Sequence, residues 1–338
     1  MADVARLAEV SVPTVSRVLS GAAQVSAAKR ERVLAAIAQL QFRPSAAARV
    51  LASGRAEVLA VITGNTSTYG YAETIRGVEE AARAEGYTVM IAVVESADPA
   101  EVDRALATAL THAIAGVVVL KFDPPGVAAL HRIPAGMPVV ALSGIREAGV
   151  PQAVIDETRA AEELTNYLLE LGHETVHHVR VPPSRREDGR TTGWRRALRK
   201  AGAEVPPHEG ASWDPKSGRE IGRRLAADPT VTAVFCGNDE IAMGVMRGFA
   251  DEGLQTPRDV SVVGFDNHPL SELWTPPITT AYQDFVGLGR RGVRILMGVI
   301  NNDDSPRFSS QRPPLVIRSS ARPPSASRGR DAGRRAAQ

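Results

Sequence analysis

From Val58 onward, short runs rich in β-branched residues alternate with stretches of helical character, and this alternation narrows the possible folds more than any other feature. Strands are predicted over 58–63, 87–94, 115–122, 138–142, 153–155, 175–181, 231–236 and 259–265. Helices are predicted between them, among others over 72–85, 100–111, 160–171, 217–227 and 238–252. Strands that are apolar almost throughout imply parallel sheets with helices on both faces. At least eight of them fill two lobes, giving an α/β, doubly wound core over 58–317, and ligands of this class bind beyond the carboxyl ends of the strands.

The first 44 residues follow another period. Val4 and Leu7, then Val15, Val18 and Leu19, then Val33, Ile37 and Leu40 recur at helical spacing, so three short helices each carry one apolar stripe. Ser11 can cap the second helix, with Pro13 tolerated in its first turn, and Ser26 can cap the third. Two short helices joined by a tight turn make a helix-turn-helix, a DNA-reading motif. With Val15, Val18 and Leu19 inward, Pro13, Ser16, Arg17 and Ser20 face outward as a small polar row with one arginine. Charge supports a nucleic-acid partner. Residues 1–55 hold 8 Lys and Arg against 3 Asp and Glu, whereas 56–317 hold 26 against 34. A basic head on an acidic body is expected where only the head approaches a polyanion.

Residues 45–57 read as a hinge helix and linker, too short to be helical alone in water. Residues 318–338, rich in Arg, Pro and Ser, are expected to form a disordered basic tail. No apolar run approaches a membrane span, and the charges within Met1–Leu19 do not fit a secretory leader, so a cytoplasmic protein is expected. The single cysteine, Cys236, leaves no intramolecular disulfide or thiolate cluster.

The segments Asp3 to Leu19, Leu171-Gly-His173, Gly189-Arg-Thr-Thr-Gly-Trp194, Gly237-Asn-Asp-Glu240, Asp259 to Asp266 and Pro276-Pro-Ile-Thr-Thr280 together resemble the LacI/GalR family of bacterial transcription regulators. The resemblance covers almost the whole chain. It implies a DNA-binding head, a hinge helix and a two-lobed core of periplasmic-binding-protein type. Such a protein binds double-stranded operator DNA as a homodimer, with higher assembly left open, and closes on a small effector. The implied DNA contacts are Ser11, Val12, Pro13, Thr14, Ser16, Arg17 and Ser26, with Leu51 as a minor-groove wedge. Arg17 can donate two hydrogen bonds to guanine, whereas the hydroxyls suit phosphates. The implied ligand contacts are Tyr71, Lys121, Arg190, Trp213, Asn238, Asp266 and Gln283. Forked polar groups and an aromatic platform make a sugar the first expectation, while Lys121 would suit an acidic or phosphorylated ligand. Glu9 departs from the family's usual glycine at the end of the first helix, and Met1 leaves that helix without the usual preceding cap.

No cofactor and no catalysis are expected, because no phosphate-binding loop, nucleophile elbow or dinucleotide fingerprint is present. His173-Glu-Thr-Val-His177 spells a zinc-protease pattern, but it follows Gly172 and runs into a strand, where four residues span about 13 Å and cannot bring two imidazoles to one metal. A purine-responsive regulator of the same fold would reverse the sign of control, and a free sugar-binding protein or an enzyme with a similar core would lack the head.

Overall fold

The structure, a computed structural model, describes residues 1–19, 25–42, 56–184 and 186–325. Ser20, Leu51 and the expected hinge helix lie outside them.

In the head, α1 (Ala2–Leu7), α2 (Val12–Leu19) and α3 (Ala27–Gln39) enclose a small core of Val4, Ala5, Ala8, Val15, Val18, Val33 and Ala36. Leu7, Leu19 and Leu40, expected on the inward stripes, are instead 43%, 37% and 43% exposed. Alanines fill the helix crossings, so the contact patch ends before the terminal leucine of each stripe is reached. The α1–α2 turn closes through Val10 N donating to Ala5 O (3.0 Å) and Glu9 N donating to Arg6 O (3.3 Å), with Glu9 at φ 52°. This helix ending favours glycine at that position, and a glutamate there costs on the order of 1 kcal/mol. Gln41, at φ 46°, ends α3 in the same way.

In the core, the first lobe is built on β1 (Val58–Thr63), β2 (Thr88–Val93), β3 (Gly116–Leu120), β4 (Val139–Ser143), β5 (Gln152–Ile155) and β11 (Phe308–Gln311). Their order is β11-β5-β4-β3-β1-β2, and the pairs from β11 to β1 are parallel. Near-complete burial of β1, β3, β4 and β5 explains why they read as apolar runs. Between these strands come α4 (Tyr69–Ala84), α5 (Pro99–Leu110) and α6 (Pro124–Leu130). The second lobe contains α7 (Glu157–Glu170), β6 (His177–Arg180), α8 (Gly189–Ala201), β7 (Glu209–Gly210), α9 (Pro215–Ala226), β8 (Ala233–Cys236), α10 (Asp239–Asp251), β9 (Ser261–Val263) and α11 (Pro269–Leu273). Its sheet runs β7-β6-β8-β9, all parallel.

The chain passes between the lobes three times. It leaves β5 for α7 and returns after β10 (Thr280–Ala281) through α12 (Phe285–Asn301), which packs on α4. It then crosses again between β11 and β12 (Leu315–Val316), which pairs with β10. Glycine is required where α4 meets α12: a Cβ on Gly77 would lie 2.1 Å from Val286 O, and one on Gly289 would lie 2.4 Å from Thr74 O. Three crossings make a hinge on which the lobes can rotate without unfolding.

The expectation of disorder from residue 318 is corrected at its start. Ser320 is fully buried, accepts from Thr279 N (2.9 Å), and its backbone oxygen accepts from Val262 N (2.9 Å). Arg322 N donates to Ser261 Oγ (3.0 Å), and His173 Nε2 meets Arg322 O at 3.0 Å. Composition pointed to disorder, but backbone pairing along β9 satisfies this segment's polar groups and holds it. His173 is thus part of a buried network at the sheet end.

Candidate effector cleft and DNA-reading surface

The loops beyond the carboxyl ends of β1, β3, β4, β6 and β9 converge on one cleft lined from both lobes. Tyr71, Lys121, Phe122 and Ser143 come from the first lobe, and Asp188, Arg190, Trp213 and Asp266 from the second. Five of the seven expected ligand contacts, Tyr71, Lys121, Arg190, Trp213 and Asp266, are therefore brought together. Asn238 and Gln283 are not in the lining. Asn238 caps α10, its Oδ1 accepting from Ile241 N (2.8 Å), and Gln283 stands behind Asp266, to whose Oδ1 its Nε2 donates (2.5 Å).

One side of the cleft is ionic. Arg190 is buried on the first turn of α8, donating through Nη2 to Glu157 Oε1 (2.8 Å) and through Nη1 to Gly237 O, with Asp266 Oδ1 3.6 Å away. Its guanidinium lies over the Phe265 ring at 4.7 Å, and its Nε is buried without a hydrogen bond. Asp266 has φ 107°, outside the range that side chains favour, and is bracketed by a backbone bridge to Tyr282. Burial pushes its carboxyl up to about 7, although Arg190 and the Gln283 amide pull the other way.

That shift fixes the sign of a pH effect. A carboxyl raised in the folded state keeps a proton that the unfolded chain gives up, so its contribution to stability falls as pH rises from about 4 through about 7. Asp266→Asn is expected to be more stabilising, relative to the parent, at pH 8 than at pH 5 in urea unfolding. Equal differences at the two pH values would show that Asp266 is not held this way.

The other side is aromatic. The Tyr71 ring meets Phe122 edge-on at 5.2 Å and Trp213, across the cleft, at 6.5 Å, and Phe122 meets Phe285 at 6.4 Å. Tyr71 Oη donates to Asp123 Oδ2 (2.6 Å); burial, with the charge of that carboxylate, pushes the phenol up, and burial raises Asp123 as well. Lys121, almost fully buried, is paired with Glu147, and His131 Nε2 lies 3.5 Å from the same carboxylate. Its charge is therefore answered within the protein. Glu157, Asp188, Phe122 and Phe285 were not anticipated. For Glu157 a signal existed, since a buried arginine requires a counter-charge.

On the head, Ser11, Val12, Pro13, Arg17 and Ser26 are exposed, and Thr14 and Ser16 half-buried. Ser11 and Thr14 hydroxyls lie 2.9 Å apart, and Ser26 occupies the cap position of α3 without a side-chain cap bond. Along α2 the residues Val12, Pro13, Ser16 and Arg17 thus form an accessible face opposite buried Val15 and Val18.

A helix-turn-helix head carried by a two-lobed binding core defines a DNA-binding regulator of the effector-responsive kind. Residues 1–45 match the model of bacterial regulatory proteins of the lacI family, and residues 165–321 match the periplasmic binding protein-like domain. The chain is 32% identical over 310 residues to catabolite control protein A of Priestia megaterium, covering 89% of this chain and 92% of that protein. It is 32% identical over 336 residues to the ribose operon repressor of Escherichia coli K12, covering 95% and 99%. The lac repressor dimer, solved bound to operator and the anti-inducer ONPF, aligns with TM-score 0.86 and 26% identity over 95% of this chain and 98% of that one. The chain belongs to the lacI family of bacterial regulatory proteins.

Proposed function

We propose that this chain is a dimeric, cytoplasmic repressor that grips operator DNA through α2 and is released when a neutral sugar binds in the cleft. The observation that carries the reading is the pairing of an ionic wall, Arg190 with Glu157 and Asp266, with an aromatic wall, Tyr71 and Trp213, in one cleft. Carboxylates and a forked guanidinium suit adjacent hydroxyls, and rings suit the C–H face of a pyranose. The Lys121–Glu147 pair favours an uncharged ligand over a phosphorylated one, because the lysine's charge is already met. A sugar shifts operator affinity only as far as it prefers one lobe arrangement over the other. No catalytic role is proposed, and no helix among the described residues is long and apolar enough to cross a membrane.

The decisive experiment is a gel shift with operator DNA, with and without D-ribose, D-glucose, D-galactose and cellobiose. Release by one of them is expected. Binding that requires hypoxanthine or guanine would reverse the assignment to co-repression.

For the DNA contact, Arg17→Ala is expected to lower specific operator affinity by about 1–3 kcal/mol and relax preference at one base pair. Operator titrations across single-base variants check it; a uniform loss at every position would place Arg17 on phosphate instead.

A further inference from the structure

Behind the ionic wall, one hydroxyl proton is claimed by two acceptors. Thr191, fully buried on α8, has its Oγ1 3.0 Å from Asp188 Oδ2 and 3.1 Å from His178 Nε2. His178 is buried on β6, stacked on Phe235 at 4.7 Å and beside Trp194 at 5.1 Å. Its Nδ1 lies 2.9 Å from Phe235 O, a carbonyl that can only accept, so Nδ1 carries the ring proton. Burial pushes His178 down to about 4, so at neutral pH its Nε2 is a bare acceptor. Asp188 caps α8, Oδ1 accepting from Thr191 N (2.8 Å), and it lines the cleft. Its Oδ2 is ion-paired with Arg180 Nη2 at 3.7 Å, beyond hydrogen-bond distance, so the arginine meets its charge without donating to it. Thr191 has one proton to give, and whichever acceptor does not receive it is left without a hydrogen bond at that atom.

We propose that Asp188 reads a donating hydroxyl of the cleft ligand, and that Thr191 relays this contact to His178 in the core of the second lobe. A ligand O–H donating to Asp188 Oδ2 supplies the missing proton at that end. Thr191 then turns its own proton to His178 Nε2, and both acceptors are met. An ether oxygen or a ketone in that position supplies no proton and leaves the conflict standing. Asp188 thereby selects for a free hydroxyl at one position of the ligand, and the relay couples occupancy of the cleft to β6. The inference rests on the sugar reading of the cleft.

Asp188→Asn separates the two. Asparagine caps a helix as well as aspartate does, and with its oxygen on Thr191 N its amide donates to Thr191 Oγ1, imitating the ligand. The full chain, labelled with 15N-histidine, is titrated with D-ribose, D-glucose, D-galactose and cellobiose by calorimetry and NMR. The sugar that binds is expected to lose about 10- to 100-fold in affinity on Asp188→Asn, the range for a hydrogen bond to a charged group. The His178 Nε2 resonance is expected to move to its hydrogen-bonded position when the parent is saturated, to stand there already in unliganded Asp188→Asn, and not to move in Thr191→Val. Affinity within twofold on Asp188→Asn, or a His178 resonance unchanged between the unliganded parent and Asp188→Asn, would overturn the proposal. If none of the four sugars binds the parent, the sugar reading falls, and the ligand-free comparison of parent and Asp188→Asn still decides the relay.

Discussion

Replacing Arg190 by alanine is expected to destabilise the core by on the order of 3–5 kcal/mol, the usual consequence of removing one member of a buried ion cluster. Glu157 and Asp266 share this guanidinium, at 2.8 and 3.6 Å, and both are largely withdrawn from water. Without it, two carboxylates remain in a site that already favours protonation of Asp266. The penalty is therefore expected to shrink as pH falls, because Asp266 takes up a proton and one uncompensated charge disappears. At pH 5 the loss in urea unfolding should be visibly smaller than at pH 8. Arg190→Lys is expected to recover little, since an ammonium cannot meet Glu157 and Gly237 O together in a planar fork. Pairing Arg190→Ala with Asp266→Asn should recover part of the loss at pH 8. A loss under about 1 kcal/mol, or one independent of pH, would mean that solvent reaches the cluster and that the cleft is not the low-dielectric site described.

Which of these features could be read in the chain depended on whether physics acts locally. The buried parallel strands β1, β3, β4 and β5 were legible because burial on both faces writes a continuous apolar run. The two-residue strands β7, β10 and β12 were not, since they exist only through their partners. Polar β11, Phe-Ser-Ser-Gln, is a strand because β5 lies beside it, not because of its composition. In the cleft, Arg190 and Asp266 stood in recognisable motifs, but the Glu157 counter-charge lies 33 residues from Arg190 along the chain. Asn238 and Gln283 lie outside the lining, where a helix cap formed three residues on and the Asp266 carboxylate each engage one polar atom of the amide. Ser320 shows the reverse error, in which an Arg- and Pro-rich segment reads as disordered while backbone pairing holds it.

A second large change is expected from a residue that touches neither ligand nor DNA. Leu270, Leu273 and Trp274, on and just after α11, are 49%, 78% and 37% exposed, beside a groove lined by Met246, Ala250 and Leu254. Leaving a leucine and a tryptophan side by side in water is unfavourable, and such a patch marks a protein interface. A second copy of the chain is expected to cover it, since a dimeric grip on operator needs two heads and residues 1–45 supply one per chain. Leu273→Glu places a charge at the centre of that contact in both copies at once, since a twofold interface presents the same residue from each side. Loss of an apolar anchor costs about 2–4 kcal/mol, and a buried unpaired charge adds to it, so dimer affinity should weaken by at least a hundredfold. Sedimentation at micromolar concentration is expected to show the parent as a dimer and the variant as a monomer. Operator affinity should collapse with it, because a single head forfeits the effective concentration supplied by its neighbour, while sugar binding in the cleft is retained. A variant that still sediments as a dimer would move the interface elsewhere, and a variant monomer that still held operator at the parent's affinity would refute the two-headed grip itself.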